Sequence, residues 1–287
     1  VKEIGEKGTK NIIILSAGFK ESGAEGAELE NKVAALAKEY ELVIIGPNCL
    51  GLINPAAKLN ATFGKASLAP GNVRFILQSG ALATSLFDWA ESVEVGLGAC
   101  ITLGNKTVIA ESAIMHHWYE DRTSITSKMR KKQQAAGLSP YQPIGLYLES
   151  ITNGRDFLRY AKAIAHDDPV FLLKPGKSSG AQKAMQSHTG SLAGNDVVLE
   201  VALAEAGIIR CDGVEDIFDL TKAFAWEEAP AGPRVAVVSN AGGPAVMSAD
   251  MLVEASLTLA PLSQKTNDIL VDHLPRAAGV VNPVDVL

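Results

Sequence analysis

The sequence predicts an α/β fold built on mostly parallel β-sheets, and three of its features support this prediction. Short runs made almost entirely of apolar residues recur along the chain, as at residues 11–15 and 170–173. Longer segments between them have apolar residues at helical spacing, for example Leu29, Val33 and Leu36. Several apolar runs end in turns rich in glycine and in serine or asparagine. Wholly apolar strands that alternate with helices are typical of a parallel sheet covered on both faces.

Strands and helices alternate from one end of the chain to the other. The apolar runs predict strands at residues 11–15, 42–45, 75–77, 99–103, 144–148, 170–173, 208–210 and 235–239. The helical spacing predicts helices at residues 27–39, 81–91, 154–165, 197–206 and 215–226, with a further helix after Pro244. Residues 176–194 are rich in glycine, serine, lysine and threonine, so we predict an extended functional loop there.

Two interruptions of this pattern suggest domain boundaries, and a third suggests an insertion. A break at residues 67–72 and a linker containing proline and glycine at residues 228–233 divide the chain into three parts. Residues 119–143 interrupt a helix-to-strand connection with polar and basic sequence, whereas such connections usually take about 2–6 residues. We predict that this segment is a solvated surface insertion remote from the chemistry, with contact to a partner subunit as the alternative.

Composition and charge argue against several classes of protein. The 287-residue chain is 47% hydrophobic and has a net charge of −6, so it has no electrostatic reason to bind a nucleic acid backbone. Its three cysteines form no CxxC pair, which argues against a disulfide framework or a zinc site and favours a reducing cytoplasm. The sequence has no apolar run of membrane-spanning length and no signal-peptide pattern, and we expect a fragment truncated at both ends.

Four of the predicted strand-end turns carry glycine beside serine or asparagine, at residues 16–18, 46–51, 79–80 and 240–243. Ligands of open α/β sheets bind outside the carboxyl ends of the strands. Glycine lets the backbone approach a phosphate there, and the following helix presents free N–H groups with a partial positive charge. A tight turn can also need glycine for its geometry alone, so these turns suggest anion binding without naming a reaction.

His188 lies in the segment SHTGSLAG, at residues 187–194. A single histidine is more often a surface or core residue than a catalytic one. Here small and hydroxyl-bearing residues surround it, and a predicted helix N-terminus follows closely. A neutral imidazole nitrogen is a good nucleophile toward phosphorus, and a phosphoryl group on it needs amide donors to stabilise its charge. His188 is therefore a candidate catalytic residue, and the non-catalytic interpretation stays open.

Several motifs resemble those of one enzyme family and follow one another in the family's order. They are GPNCLGLINP at residues 46–55, LNATF at 59–63, QSGALATSLFDWA at 78–90, LGNK at 103–106, YLES at 147–150, SHTGSLAG at 187–194, SNAGGPAVMSAD at 239–250 and NPVDVL at 282–287. On these motifs the chain resembles the ADP-forming acetyl-CoA synthetases, which are relatives of succinyl-CoA synthetase. The resemblance covers nearly the whole chain, and SHTGSLAG together with GPNCLG makes it specific.

The resemblance implies an acid–thiol ligase that interconverts acyl-CoA, a nucleoside diphosphate and phosphate with a carboxylic acid, CoA and a nucleoside triphosphate. In this family a histidine carries the phosphoryl group between an acyl phosphate and the nucleotide, and His188 matches that histidine. Glu149, at the end of YLE, resembles the carboxylate that hydrogen-bonds the histidine, fixes its tautomer and stabilises its charged form. Without the resemblance, a surface acid at a strand end would be the simpler interpretation of Glu149.

The resemblance also indicates which residues bind phosphate and CoA. Ser79 and Gly80 match a phosphate-binding turn at a helix N-terminus. Thr189 and Gly190 match a second such turn beside the histidine. The residues expected near CoA are Asn48, Cys49, Ser16 and Lys20. For Cys49, burial as a small packing residue is the favoured alternative. No metal site is expected within the chain, because the resemblance assigns ADP or ATP and Mg²⁺ to an ATP-grasp domain outside these 287 residues.

In terms of fold, the resemblance implies α/β structure throughout, with a truncated Rossmann-like CoA-binding domain followed by flavodoxin-like parallel-sheet domains. Residues 1–67 would be the C-terminal half of the CoA-binding domain, and residues 68–228 a flavodoxin-like ligase domain with the histidine loop and the insertion. Residues 229–287 would begin a second flavodoxin-like domain. The expected partners are acyl-CoA, phosphate and an ATP-grasp (β-type) subunit or fused domain, in an oligomer that binds neither nucleic acid nor membrane.

Two other functions are open on the sequence. The chain could be an acyl-CoA- or nucleotide-sensing regulatory module of a protein acetyltransferase, but a phosphorylatable His188 argues against this function. It could also be a non-catalytic subunit, for which a missing Glu149 or a broken SHTG motif would be expected. Both Glu149 and the SHTG motif are present in the sequence.

Overall fold

The structure is a computed structural model that describes residues 1–64, 68–121, 131, 139–178, 180–181 and 195–287. The chain forms two compact units, Val1–Glu228 and Ala229–Leu287. Within the units, helices alternate with strands that pair mostly in parallel, which confirms the predicted α/β fold class. Among the helices that the structure describes, none is long and apolar enough to cross a membrane.

The N-terminal part of the first unit is a small β–α–β arrangement. After the short helix α1 (Lys2–Glu6), strand β1 (Asn11–Ile13) leads into helix α2 (Ala24–Tyr40) and strand β2 (Val43–Ile45). The two strands pair in parallel, as their predominantly apolar sequences predict. A small core holds them to the helix, and it consists of Phe19, Val33, Ala37, Leu42 and Ile44.

A larger sheet forms the rest of the first unit. Its described strands are β3 (Gly51–Asn54), β4 (Leu59–Thr62), β5 (Pro70–Leu77), β6 (Leu97–Thr102), β7 (Ile144–Tyr147), β8 (Val170–Leu173) and β9 (Ile208–Cys211). Their order across the sheet is β4, β3, β6, β5, β7, β8, β9. From β6 to β9 all neighbours are parallel, and β6 and β7 flank β5 on opposite sides. This is the strand order of flavodoxin-like folds and agrees with the prediction.

Helices cover both faces of the larger sheet. The first face packs against α3 (Gly80–Ser92) and a later helix, α7 (Val214–Trp226); the second packs against α4 (Glu111–Asp121), α5 (Gly154–Ala165) and α6 (Asp196–Glu205). Successive residues of β5 alternate between the two cores, because Phe75 and Leu77 face α3 whereas Ile76 faces α4. Burial on both faces explains why residues 75–77 of β5 and all of β8 are apolar.

One pair of strands was not predicted. β3 and β4 form an antiparallel hairpin, and β3 also pairs antiparallel with β6, so the hairpin extends the larger sheet. The hairpin lies at residues 51–62, which the sequence analysis assigned to the first domain. The proposed domain boundary at residue 67 stays a prediction, and any division there must account for this pairing.

The C-terminal end of the predicted surface insertion is part of the fold. Residues 122–130 and 132–138 lie outside the described residues, but residues 139–143 pack against the body of the first unit. The Ser139 side chain is buried, and its hydroxyl donates a hydrogen bond of 2.6 Å to the carbonyl of Phe224 in α7. The backbone amide of Gln142 donates to the Asp168 carboxylate at 2.9 Å. The prediction of surface exposure was wrong here, because these polar groups find their partners inside the protein.

The second unit contains two pairs of short parallel strands and two helices, α8 (Gly242–Glu254) and α9 (Gln264–His273). Strand β10 (Arg234–Val235) pairs with β12 (Thr258–Leu259), and β11 (Val238–Ser239) pairs with β13 (Val284–Asp285).

The predicted strand at residues 235–239 is interrupted by the side chain of Asn282. The Asn282 amide oxygen accepts a hydrogen bond from the backbone amide of Val237 at 2.9 Å. The Asn282 amide nitrogen donates to the carbonyls of Val235 and Ala260, each at 2.9 Å. This side chain therefore takes the place of a neighbouring strand between β10 and β11.

Replacing the buried Ser139 by alanine should lower the free energy of unfolding by about 1–3 kcal/mol, because the partly buried carbonyl of Phe224 loses its donor. Urea unfolding followed by circular dichroism measures this change. Ser92→Ala is the matched control, since the Ser92 hydroxyl also donates to a helix carbonyl, that of Trp89, but at the surface. The control should change stability by no more than about 0.5 kcal/mol. Equal losses in the two variants would contradict the burial argument.

Candidate active site

The carboxyl ends of β6, β5 and β7 lie side by side on the carboxyl-terminal side of the larger sheet, at the point where the strand order reverses. A cavity of about 600 Å³ opens at this point. The turns after the three strands line it with residues 78–81, 104–106, Glu149, Ser150 and Thr152, and the N-terminal part adds Lys20, Glu21 and Asn48. The cavity therefore lies where ligands of open α/β sheets usually bind.

The turn after β5 presents the N-terminus of α3 to the cavity. Ser79 caps the helix, and its hydroxyl oxygen accepts a hydrogen bond of 3.2 Å from the backbone amide of Leu82. Gly80 is the first helical residue, and a Cβ placed on it would come no closer than 3.7 Å to Leu50. Packing therefore does not require glycine at this position. A missing side chain at a helix N-terminus instead leaves the backbone accessible to an anion.

The turn after β6 makes a close contact with the N-terminal part. Gly104 has a positive φ of 54°, and a Cβ on it would lie 2.1 Å from the carbonyl oxygen of Pro47. Only glycine fits this approach. The next residue, Asn105, donates its backbone amide to the same carbonyl at 2.9 Å. These contacts hold Asn48 on the cavity wall, where its side-chain amide lies 3.4 Å from the Asn105 amide oxygen.

Lys106 follows in the same turn and extends into the protein interior. Its ammonium group donates hydrogen bonds to the Glu111 carboxylate at 2.9 Å and to the carbonyl of Ser150 at 2.6 Å. The side chains of Lys106 and Glu111 are 3% and 0% exposed, so their charges are paired in a desolvated environment. Burial lowers the pKa of Lys106, although the neighbouring Glu111 carboxylate opposes this effect. Removing either partner alone would cost about 3–5 kcal/mol, because the other charge would stay buried without its partner.

Glu149 follows β7 and lies on the cavity wall beside the turn after β5. The side-chain oxygen of Gln78 accepts hydrogen bonds from the backbone amides of Glu149 at 2.9 Å and of Ser150 at 3.2 Å. The ammonium group of Lys174, after β8, donates to the Glu149 carbonyl at 3.2 Å. Burial lowers the pKa of Lys174 and raises that of Tyr147, and the Glu149 carboxylate adds to the increase at Tyr147.

Lys20 is held at the cavity wall by a network of hydrogen bonds and an ion pair centred on the buried Glu30 of α2. The Lys20 ammonium group lies 3.2 Å from one Glu30 oxygen, and it donates to the Asn105 carbonyl at 2.5 Å. The Asn105 side chain donates to Glu30 at 2.8 Å and to Glu21 at 2.6 Å. Burial raises the pKa of Glu21, but hydrogen bonds from Asn105 and from backbone amides outweigh this effect and lower it overall.

Two residues predicted to lie near CoA, Ser16 and Cys49, do not line the cavity. Ser16 is exposed, and its carbonyl accepts a hydrogen bond of 2.9 Å from the backbone amide of Asn48. The Cys49 thiol is buried and donates to the carbonyl of Ile14 at 3.4 Å. Burial raises the pKa of Cys49 to about 11. These properties favour the packing role that the sequence analysis gave as the alternative for Cys49.

The structure brings together five of the predicted site residues: Lys20, Asn48, Ser79, Gly80 and Glu149. His188, Thr189 and Gly190 lie outside the described residues. Other residues of the cavity wall were not predicted from the sequence, among them Glu21, Gln78, Asn105, Lys106 and Ser150. Of these, all but Glu21 belong to the quoted motifs QSG, LGNK and YLES, and their position directly after apolar strands was the signal that could have found them.

The two lysine charges of the described cavity wall are balanced by neighbouring carboxylates. Lys20 is paired with Glu30, and Lys106 is paired with Glu111. An anion in this cavity would therefore be stabilised chiefly by the N-terminus of α3 and by backbone amides. In the described ranges, no three histidine, cysteine or acidic side chains converge on a common point that could hold a metal ion. The described site is suited to holding an anionic group beside the Glu149 carboxylate.

Comparison with known proteins identifies the family to which this chain belongs. The profile of the succinyl-CoA ligase-like flavodoxin domain matches residues 70–126 and 136–224, which is just over half of the chain. The chain belongs to the succinyl-CoA ligase family. The motif resemblance to ADP-forming acyl-CoA synthetases is thereby confirmed, together with the flavodoxin-like fold that it implied for the larger sheet.

Family members with high similarity to this chain are ADP-forming ligases. The acetate–CoA ligase [ADP-forming] of Methanocaldococcus jannaschii is 36% identical over 100% of the chain, which covers 38% of that protein. The alpha subunit of acetate–CoA ligase [ADP-forming] II of Pyrococcus furiosus is 37% identical over 99% of the chain, which covers 58% of that subunit. The chain therefore spans between about two fifths and three fifths of these relatives.

A solved structure of the family has the same fold. It is a dinucleotide-forming acetyl-coenzyme A synthetase 1 of Ca. Korarchaeum cryptofilum in complex with phosphate and ADP, and it matches with a TM-score of 0.85 and 31% identity. The match covers 99% of this chain and 57% of that one. The two alternative functions, a sensor module of a protein acetyltransferase and a non-catalytic subunit, receive no support from these relatives.

Gly80→Ala should weaken phosphate binding by about tenfold or more without destabilising the fold. A methyl group on Gly80 meets only ordinary contacts in the protein, and alanine favours a helix over glycine by about 1 kcal/mol. The same methyl group would occupy the space through which an anion reaches the first amides of α3. Titration calorimetry with inorganic phosphate measures the affinity, and thermal unfolding measures stability.

Gly154→Ala is the matched control for this experiment. Gly154 is also the first residue of a helix, α5, and its Cβ would meet no atom within 4 Å. It does not line the cavity, so its substitution should leave phosphate affinity at the parental value. Parental affinity in Gly80→Ala would show that the anion does not bind at the N-terminus of α3.

Proposed function

We propose that this chain is the CoA-binding and phosphohistidine-bearing part of an ADP-forming acyl-CoA ligase. The reaction interconverts acyl-CoA, a nucleoside diphosphate and phosphate with a carboxylic acid, CoA and a nucleoside triphosphate. The observation that carries the proposal is the position of Glu149 beside the Ser79–Gly80 turn on one cavity wall, in a chain of this family. A carboxylate next to a helix N-terminus provides two of the groups that a phosphohistidine site needs.

His188 is the proposed carrier of the phosphoryl group. Phosphate attacks the thioester carbonyl and displaces the CoA thiolate, which leaves an acyl phosphate. A ring nitrogen of His188 then attacks the phosphorus, the carboxylate leaves, and the nucleoside diphosphate later takes the phosphoryl group from the ring. The hydroxyl and backbone amides of Thr189 and Gly190 are the proposed donors to the phosphoryl oxygens beside the histidine.

The positions of the other four histidines support His188 as the carrier. His116 and His117 lie on α4, His166 follows the last residue of α5, and His273 is the last residue of α9. None of these four described histidines lines the cavity. Each lacks a glycine- and hydroxyl-rich segment around it, which only His188 has in this sequence.

Glu149 is the proposed partner of the His188 ring. A carboxylate that accepts a hydrogen bond from one ring nitrogen leaves the other nitrogen as the nucleophile, and its charge stabilises the ring after phosphoryl transfer. The backbone contacts from Gln78 and Lys174 hold Glu149 at the cavity edge. These contacts support the catalytic interpretation over that of an unconstrained surface acid.

The N-terminal side of the cavity fits the thiol end of CoA. Asn48 contributes an exposed side-chain amide there, and Lys20 contributes a partly exposed ammonium group. We assign CoA binding to these two residues first. Ser16 contributes through its carbonyl contact with Asn48, and Cys49 supports the turn by packing.

The nucleotide and Mg²⁺ would be bound by an ATP-grasp part, as a β-type subunit or a fused domain, in an oligomeric enzyme. The P. furiosus relative is an alpha subunit, which supports the arrangement with a separate subunit. The buried free thiols of Cys49, Cys100 and Cys211 are compatible with a reducing compartment, and we place the enzyme in the cytoplasm.

In the complete enzyme, acetyl-CoA and labelled phosphate without nucleotide should label His188. The label should be acid-labile and base-stable, because a phosphoramidate has these properties and a serine phosphate does not. His188→Asn should fold normally, lose the label and lose net ATP formation. Mass spectrometry of the labelled peptide and an ATP assay measure these results.

His166→Asn is the control for the labelling experiment, because His166 is exposed near the end of α5 and its ring nitrogen is bonded to the Asp167 carboxylate. This variant should keep the parental label and the parental rate. If His188→Asn still made ATP from acetyl-CoA at near the parental rate, the phosphohistidine mechanism would be wrong for this protein.

Glu149→Gln should keep the fold and slow phosphohistidine formation by about 100-fold or more. The amide preserves the size of the side chain, but it removes the charge that stabilises the protonated ring. Rapid-quench measurement of label at His188 gives the rate, and circular dichroism checks the fold. A parental rate in this variant would return Glu149 to the role of a strand-end acid.

A further inference from the structure

Three buried or partly buried side chains surround the backbone of residues 149–152, and we call them the clamp: Gln78, Lys106 and Glu111. They come from three different parts of the fold. Gln78 directly follows β5, Lys106 lies in the turn after β6, and Glu111 is the first residue of α4. Their four hydrogen bonds to the segment are directed at backbone atoms, so the clamp acts on the position of the chain itself.

Gln78 holds the beginning of the segment. Its side-chain oxygen accepts hydrogen bonds from two consecutive backbone amides, those of Glu149 and Ser150, at 2.9 and 3.2 Å. One acceptor shared by two successive amides fixes the direction in which the chain leaves β7. The Cα–Cβ bond of Glu149 starts from this fixed backbone, so the Gln78 contact determines where the carboxylate can reach.

Lys106 and Glu111 hold the rest of the segment. Lys106 donates to the carbonyl of Ser150 at 2.6 Å, and Glu111 accepts from the backbone amide of Thr152 at 2.7 Å. The two side chains are also bonded to each other at 2.9 Å. Because they are almost completely buried, they have few alternative partners, and a shift of the segment would take hydrogen bonds from both members of a desolvated ion pair.

The ion pair is better suited to this role than to binding substrate. The positive charge of Lys106 is matched by the negative charge of Glu111, so the pair adds no net charge to the cavity. Burial lowers the pKa of Lys106, which indicates an interior site where an unpaired ammonium group would be unfavourable. The charges therefore support a structural connection between α4 and the backbone of the Glu149 segment.

We propose that Gln78, Lys106 and Glu111 are positioning residues that fix the backbone of residues 149–152 and thereby aim the Glu149 carboxylate at the histidine ring. This inference rests on the proposed function, and it adds Lys106 and Glu111 to the Gln78 contact named there. Reacting groups displaced by about 1 Å can lose about 100-fold in rate, so a clamp on the backbone has a large effect on turnover.

The decisive variants are Gln78→Leu and Gln78→Glu in the complete enzyme. Leucine keeps the approximate volume and removes the acceptor, so phosphohistidine formation should slow by about 10- to 100-fold while the KM for phosphate changes by less than about threefold. Glutamate keeps an acceptor for both amides and should restore much of the rate. Its added charge next to Glu149 should move the acidic limb of the pH–rate profile upward, because a nearby carboxylate raises the pKa of another.

A second pair of variants tests the ion pair. The double variant Lys106→Met, Glu111→Gln removes both charges together and keeps an acceptor for the Thr152 amide, and it should slow labelling at His188 by about tenfold or more. Asp168→Asn is the matched control, because Asp168 is also a buried carboxylate that accepts a backbone amide, that of Gln142, outside the cavity. The control should lose stability and keep the parental labelling rate.

Amide hydrogen exchange of residues 149–152 distinguishes a clamp that does not hold the backbone from a clamp that has no effect on the reaction. Faster exchange in Gln78→Leu with a parental labelling rate would overturn the positioning role. Parental exchange in that variant would overturn the clamp itself. A raised KM for phosphate with unchanged exchange would instead make Gln78 a substrate-binding residue. If the parental enzyme formed no phosphohistidine at all, the proposed function would fail first, and the role of the clamp would fail with it.

Discussion

The parallel pairing of β5 with β6 on one side and with β7 on the other is the constraint on which the rest of the first unit depends. The chain leaves β5 toward one side of the sheet and later returns on the opposite side. The turns after these three strands are distant in sequence, yet the pairing places them next to one another at the carboxyl ends of the strands. Gln78, Lys106 and Glu149 become neighbours only through this arrangement, and the cavity there is its direct consequence.

A second constraint joins the N-terminal part to this side of the sheet. Gly104 approaches the carbonyl of Pro47 so closely that no side chain fits between them, and Asn105 bonds to the same carbonyl. The buried Glu30 accepts hydrogen bonds from Asn105 and from Thr107, which extends the contact along the following residues. The proposed CoA contacts therefore share a wall with the proposed phosphate site because two separate parts of the chain are locked together by backbone contacts.

The lysine side chains near the cavity are bonded to other groups of the protein, so little of their charge is available to a ligand. The Lys20 and Lys106 ammonium groups are paired with glutamates and bonded to backbone carbonyls. This leaves the N-terminus of α3 and its glycine as the main source of positive potential among the described residues. Phosphoryl transfer depends on positions held within fractions of an ångström, so a rigid wall of paired charges is suited to the proposed chemistry.

The sequence by itself determined the fold class, most of the strands and helices, and four motif residues that reach the cavity: Asn48, Ser79, Gly80 and Glu149. Periodicity is a local property, which is why α5 and β8 have the predicted bounds. Tertiary structure alone decided that β3 and β4 join the larger sheet, that Ser139 and Gln142 are buried, and that Lys106 pairs with Glu111 behind Glu149. The physical reason is that strand pairing and the burial of polar groups depend on partners far away in the sequence. The spacing of apolar residues within a segment indicates only which face of that segment can be buried.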